Sequence, residues 1–138
     1  MALQTITKDI LTRTSGAALL NLPYDVSFLA GYSSATLAQA VVVQTYGEMV
    51  MARTGIFEGE VGYIDTVCTG AVLICDVLKN GSSIYSTKPQ FAVSPNALTA
   101  GVISPTAFVS GDRVTFKVTQ IGSGVTGSGV RFMLKCKA

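Results

Sequence analysis

From residue 23 onward, apolar and polar residues alternate in short runs that are typical of β-strands. In segment 24–31 the larger apolar side chains occupy every second position, as Tyr24, Val26 and Phe28. Segments 111–122 and 129–137 alternate in the same way. Because successive side chains of a strand point to opposite faces, each segment predicts a strand with one face toward a core.

Two further segments predict strands of a different character. Residues 71–78 are apolar almost throughout, which predicts a short strand with both faces buried. Residues 40–53 are rich in Val, Tyr and Met, and Gly47 within them predicts a β-bulge. The chain therefore alternates between strands that face solvent on one side and strands enclosed by the fold.

Segment 55–67 predicts another strand and carries two acids two positions apart. Extended geometry predicts Glu58 and Glu60 on one face, with Phe57, Val61 and Tyr63 on the other. Two neighbouring carboxylates are the groups that glycoside hydrolysis requires. The polar face of an alternating strand also carries charges for solvation alone, and this second interpretation is the one we adopt.

Turn residues separate these segments at short intervals. Asn80-Gly81 favours a type I′ turn and predicts a hairpin between 71–78 and a partner strand over 83–93. Pro89 restricts the middle of that partner to an edge or a bend, and Asp112 is interpreted as a turn residue. With six to eight short strands and no long helical pattern, residues 23–138 predict an all-β, antiparallel β-sandwich that is jelly-roll-like.

Residues 1–22 lack this pattern and are predicted to form an extended N-terminal arm. The segment is rich in Thr, and Thr14-Ser15-Gly16 interrupts any helical pattern, so that at most a short helix is expected. Its aliphatic side chains are the candidate docking residues: Leu3, Ile6, Ile10 and Leu11.

The composition indicates a subunit of an assembly. Hydrophobic residues make up 49% of the 138 residues and charged residues 13%, about half the usual ~25%. A chain with so few charges exposes apolar surface, which usually marks a partner site. The sequence contains no run of 18 consecutive apolar residues, so we predict no membrane-spanning helix. Lys8 and Asp9 interrupt the region where a signal peptide would be apolar, so we expect no export signal.

Candidate chemistry is sparse. The chain has no His, which removes the usual base of a nucleophilic triad, and we predict no enzyme, no cofactor and no metal site. Its three cysteines, Cys68, Cys75 and Cys136, match no zinc spacing and are interpreted as small buried hydrophobic residues. The net charge of +2 without a basic cluster argues against nucleic-acid binding.

Several motifs in order resemble those of a known class of protein. They are "YDVSFLAGYSS" at 24–34, "AVLICDVLKNGSSIYSTKPQFAV" from Ala71, and "FVSGDRVTFKVTQIGSGVTGSGVRFMLKCK" from Phe108. This order of turns and strands is similar to that of small tailed-phage virion structural proteins with a jelly-roll or β-sandwich domain, of the capsid decoration (cement) type. The resemblance covers 24–138.

The resemblance implies a structural role on the capsid surface, after synthesis in the host cytoplasm. It implies a homotrimer that bridges major capsid subunits and stabilises the head, without nucleic acid or membrane as partners. One alternative is a subunit of the tail or of a fibre appendage that binds a host glycan, with Tyr32, Tyr85 and Asn96 as the candidate contacts. A second alternative, a small hydrolase on the same scaffold, lacks a His and a convergent pair of acids.

Overall fold

The computed structural model describes residues 22–32 and 38–138, and these residues form eleven strands and no helix. The predicted docking residues Leu3, Ile6, Ile10 and Leu11 lie outside the described residues. The strands are β1 (Val26–Ala30), β2 (Gln44–Val50), β3 (Gly55–Thr66), β4 (Leu73–Lys79), β5 (Ser82–Ser83), β6 (Tyr85–Thr87), β7 (Gln90–Phe91), β8 (Val102–Ile103), β9 (Ala107–Phe108), β10 (Arg113–Gln120) and β11 (Ser128–Lys137).

The long strands pair into two antiparallel sheets. The first sheet has the order β1-β11-β3-β9, and the second has the order β2-β10-β4-β5, with β7 also paired to β4. Strands β6 and β8 form a separate ribbon. Phe116 of the second sheet stacks on Phe28 of the first, with ring centroids 5.2 Å apart, and approaches Phe132 at 4.9 Å. The predicted antiparallel β-sandwich is therefore confirmed.

The core consists of the inward residues of the alternating strands. Val114, Phe116 and Val118 are buried from β10, while Val130, Phe132, Leu134 and Cys136 are buried from β11. Phe28 occupies the same core from β1. The predicted faces of these three strands are confirmed, since the side chains between these positions point outward.

All three cysteines are free and lie in this core. Burial is the main reason that the pKa of the Cys136 thiol rises to about 12. The pKa of Cys75 rises further for the same reason, with Asp76 and Glu60 adding to the effect. The Cys75 and Cys136 thiols therefore stay protonated at neutral pH and act as small apolar side chains.

A β-bulge in β3 overturns the predicted faces of that strand. Lys135 pairs with Gly59 and Cys136 pairs with Phe57, so Glu58 is an extra residue between two successive pairs. Gly59, at φ 144°, holds a backbone conformation that favours glycine. The bulge shifts the alternation by one residue on its C-terminal side.

The prediction that Glu58 and Glu60 share a face was therefore wrong. Phe57 and Glu60 both point into the sandwich and are buried, whereas Glu58 is exposed. Val61 and Tyr63 were expected beside Phe57, but they lie on the outer face of the sheet. One extra residue has moved a carboxylate inward and two large apolar side chains outward.

The predicted turn at Asn80-Gly81 is confirmed, whereas the strand predicted after it is wrong. Asn80 and Gly81 have φ values of 50° and 89°, the two positive angles that a type I′ turn requires. The predicted partner over 83–93 is not one strand: β5 pairs with β4 for two residues, β6 leaves to pair with β8, and β7 returns to β4. The predicted bulge of β2 is confirmed, because the register shifts next to Gly47.

Two turns at one end of the second sheet are tied together by Asp112. Its carboxylate accepts from the Val109 N–H at 2.9 Å and from the Asn80 side-chain amide at 2.8 Å. The side-chain amide oxygen of Asn80 (Oδ1) in turn accepts from the Arg113 N–H at 2.9 Å. The backbone bond from Val109, and then the bond from Asn80, lowers the pKa of Asp112 below its usual 3.8.

We predict that Asp112→Ala lowers the urea midpoint of unfolding at pH 7. A carboxyl whose pKa is depressed in the folded state stabilises the fold above its unfolded value and loses this effect as the pH falls through the folded value. The difference between wild type and variant should therefore be largest at pH 7 and shrink toward pH 2. The measurement is urea unfolding followed by circular dichroism at both pH values.

The same substitution in an Asn80→Gly background is the control, because Gly keeps the positive φ while removing the amide partner. Asp112→Ala should have a smaller effect there. A midpoint difference that does not change with pH would contradict the assigned role of the carboxylate.

Candidate interaction surface

The outer faces of the two sheets differ in chemistry. The second sheet presents Thr115, Lys117 and Thr119 from β10, and Glu48 from the neighbouring β2. The Thr115 hydroxyl donates to the Glu48 carboxylate at 2.8 Å. Polar residues thus cover the β10 part of this face, as expected for an antiparallel sheet whose other face is buried. Val50 of β2 is exposed beside them, and Ile74 and Leu78 of β4 are partly exposed.

The first sheet presents large apolar side chains on its outer face. The strand register aligns two rows across β1, β11 and β3, and these rows form what we call the outer patch: Leu29, Arg131 and Tyr63 in one row, and Ser27, Met133 and Val61 in the other. Leu29, Val61 and Tyr63 are 57%, 53% and 50% exposed. They line a shallow groove of about 430 Å³. Contiguous exposed apolar side chains of this kind mark a binding surface.

A charged cluster holds the arginine of the outer patch in place. Arg131 donates to both carboxylate oxygens of Asp65, at 2.6 and 3.4 Å, and the Tyr32 hydroxyl donates to the same carboxylate at 2.9 Å. The guanidinium also lies 5.2 Å from the centroid of the Tyr32 ring. The bond from Arg131 is the main reason that the pKa of Asp65 falls below its usual range. The cluster thus presents a paired, pre-oriented arginine beside apolar surface.

Among residues 22–32 and 38–138, no strand pairs with the outer edge of β1 in the first sheet. Leu22 and Ala138 exchange both backbone hydrogen bonds, at 3.3 and 3.0 Å, and the register continues unchanged through β1. In an antiparallel ladder these bonded pairs alternate with non-bonded ones. The backbone groups of Ser27 and Leu29 therefore point away from β11, toward the side on which a further strand would add to the sheet.

Two buried acids have structural partners rather than an open cleft. Glu60 accepts from the Tyr85 hydroxyl at 3.1 Å and from the Gly101 N–H. Burial, with Glu60 adding to the effect, raises the pKa of Tyr85, so the phenol remains a donor. These bonds fasten β3 to β6 and to the segment that leads into β8.

Asp76 is the second buried acid. Its carboxylate is contacted by the Lys88 ammonium at 2.8 Å and by the Ser83 hydroxyl at 2.6 Å. These contacts connect β4 to β5 and to the residues between β6 and β7. Within residues 22–32 and 38–138, no three Cys, Asp or Glu side chains come together in a way that could hold a metal ion.

Two of the three side chains predicted as glycan contacts are engaged elsewhere. Tyr85 is only 7% exposed. The Asn96 side-chain amide donates to the backbone oxygens of Ile64 and Asp65, at 2.7 and 3.2 Å. Only Tyr32, in the cluster with Asp65 and Arg131, lies on the binding surface described above.

The described part of the chain also contains no helix that is long and apolar enough to cross a membrane.

We predict that Tyr85→Phe lowers the free energy of unfolding by roughly 1–3 kcal/mol, the usual cost of leaving a buried polar group without its partner. Tyr63→Phe is the matched control, because Tyr63 is half exposed and its change should stay within about 0.5 kcal/mol. Urea unfolding at pH 7 measures both. Equal effects of the two substitutions would show that the Tyr85–Glu60 bond does not stabilise the fold.

The outer patch, the Arg131 cluster and the outer edge of β1 all lie on the first sheet. The patch has Arg131 in common with the cluster and Leu29 in common with the edge strand. The arrangement can bind another protein surface through apolar contact, with a fixed arginine to orient it. No protein-family model matches this chain, and no curated protein matches it.

Proposed function

We propose that this chain is a non-enzymatic structural protein of a phage virion, of the capsid decoration (cement) type. In this proposal it forms a homotrimer on the head surface, where it bridges major capsid subunits and stabilises them. The observation that supports it most is the exposed outer patch, which brings together three large apolar side chains that are each at least half exposed: Leu29, Val61 and Tyr63. The motifs that resemble virion proteins supply the phage context.

A decoration protein must bury surface against other protein chains, and the outer patch has the residue types for this. Tyr, Met and Arg are enriched in protein interfaces, and the patch contains Tyr63, Met133 and Arg131. Symmetry multiplies each contact, so a trimer whose single contacts are weak attaches tightly once several are engaged together.

The N-terminal segment is assigned to the capsid in this proposal. Leu22 pairs with Ala138 at the margin of the first sheet, and this is the residue to which the N-terminal segment is joined. Their aliphatic side chains would insert into the surface of a major capsid subunit. Extended segments of this kind gain main-chain hydrogen bonds by adding to the edge of a neighbouring sheet.

A tail or fibre subunit that binds a host glycan is the second candidate, and a separate observation favours it. Tyr32, Asp65 and Arg131 form a polar cluster with an aromatic ring, next to the half-exposed Tyr63. Sugars stack on aromatic rings and accept bonds from arginine. Binding on a glycan array that is lost in Tyr63→Ala would favour this candidate over capsid decoration.

We predict that replacing the aliphatic residues of the N-terminal segment abolishes capsid binding without unfolding the sandwich. The variant carries Leu3→Ser, Ile6→Ser, Ile10→Ser and Leu11→Ser. The control carries Thr5→Ser, Thr7→Ser, Thr12→Ser and Thr14→Ser in the same segment. Each protein is incubated with undecorated heads of the encoding phage, and the bound fraction is measured after sedimentation.

The control should decorate heads as the wild type does, whereas the first variant should remain in the supernatant. A chain that lacks residues 2–20 should behave like the first variant and retain the circular dichroism spectrum of a β-protein. Full decoration by the truncated chain would contradict the role assigned to this segment.

A further inference from the structure

We infer that the outer patch is the surface through which copies of this chain contact one another. The inference rests on the self-association in the proposed function and adds the face that carries it. In a homotrimer, the outer patch of each copy would pack against a neighbouring copy around the symmetry axis. The N-terminal segment and the polar face of the second sheet would then remain free of this contact.

The contrast between the two outer faces is the first argument. Both sheets bury their inner faces in the same core, so an isolated sandwich would present polar residues on both outer faces. The second sheet comes closer to this, with Thr115, Lys117 and Thr119, although Val50 is exposed there and Ile74 and Leu78 are partly exposed. The first sheet places Leu29, Val61 and Tyr63 at the equivalent outward positions, each at least half exposed. We therefore expect another protein surface to cover the outer patch.

The balance of charge identifies a second copy as the partner that covers it. Outward residues on β3, β11 and the approach to β1 supply three acids and three bases, whose charges sum to zero: Asp25, Glu58, Asp65, Arg131, Lys135 and Lys137. An identical surface with a net charge would repel itself, whereas a different partner is commonly recognised through an opposite net charge. A neutral face meets the requirement for self-association.

The position of these charges supports the same conclusion. Arg131 is paired with Asp65 at one end of the outer patch. At the other end, the Lys137 ammonium contacts the Glu58 carboxylate at 2.5 Å. Each end thus carries both signs, and neither repels a second copy through its net charge. The apolar centre with a paired, polar rim is the usual arrangement of a protein interface.

The test compares two identical substitutions on opposite outer faces. Val61→Lys places an ammonium group within the outer patch. Val50→Lys places the same group on the outer face of the second sheet, where Val50 is 58% exposed against 53% for Val61. The mass of the full chain in solution is measured by multi-angle light scattering over a range of concentrations. Thermal unfolding by circular dichroism reports whether each variant is folded.

We expect Val61→Lys to raise the concentration at which the oligomer dissociates by about tenfold or more, because an ammonium buried without a partner weakens association strongly. Val50→Lys should dissociate as the wild type does. If Val61→Lys does not fold, Leu29→Lys in the same patch replaces it, with the same expectation. The folded variants should keep the unfolding profile of the wild type at concentrations at which each is monomeric.

Two results would overturn the inference in distinguishable ways. An oligomer that both variants leave intact, or that both disrupt equally, would show that the outer patch is not the self-contact, while self-association itself would stand. A wild-type chain that is monomeric at every concentration would overturn the inference and also remove the homotrimer from the proposed function. If that monomer still bound heads, the outer patch would be assigned to the capsid instead.

Discussion

The contact of Phe116 with Phe28 and Phe132 is the interaction on which the rest of the structure depends. It joins the two sheets at the centre of the core, with ring centroids 5.2 and 4.9 Å apart. Because side chains alternate along a strand, directing Phe28 and Phe132 inward leaves Leu29, Arg131 and Met133 on the outer face. The same packing that stabilises the sandwich thus creates most of the outer patch.

The bulge at Glu58 completes that surface. With regular alternation, Phe57, Val61 and Tyr63 would all have faced the core. The extra residue instead brings Val61 and Tyr63 to the exterior and carries Glu60 inside, where Tyr85 and Gly101 satisfy its carboxylate. One local irregularity therefore enlarges the binding surface and supplies a buried polar link to the ribbon of β6 and β8.

Sequence reasoning succeeded where local physics decides the structure. Alternation identified the inward faces of β1, β10 and β11, and the positive-φ preference of Asn80-Gly81 identified the hairpin. It failed at β3 because a Glu-Gly-Glu sequence fits regular alternation and a bulge equally well. It also failed over 83–93, because β6 pairs with β8 and β7 pairs with β4, and neither partner adjoins this segment in the sequence. Alternation already placed Leu29 and Met133 at outward positions. It could not place them side by side, because β1 and β11 stand near opposite ends of the sequence and no local pattern predicts that they pair.

We propose that this sandwich is a capsid decoration protein that contacts its own copies through the first sheet. Electron cryomicroscopy of heads of the encoding phage tests it most directly. The account predicts threefold clusters of the sandwich on the outside of the head, with the outer patches turned toward neighbouring copies and the second sheet facing solvent. Heads without this density, or density for the chain only in the tail, would contradict it.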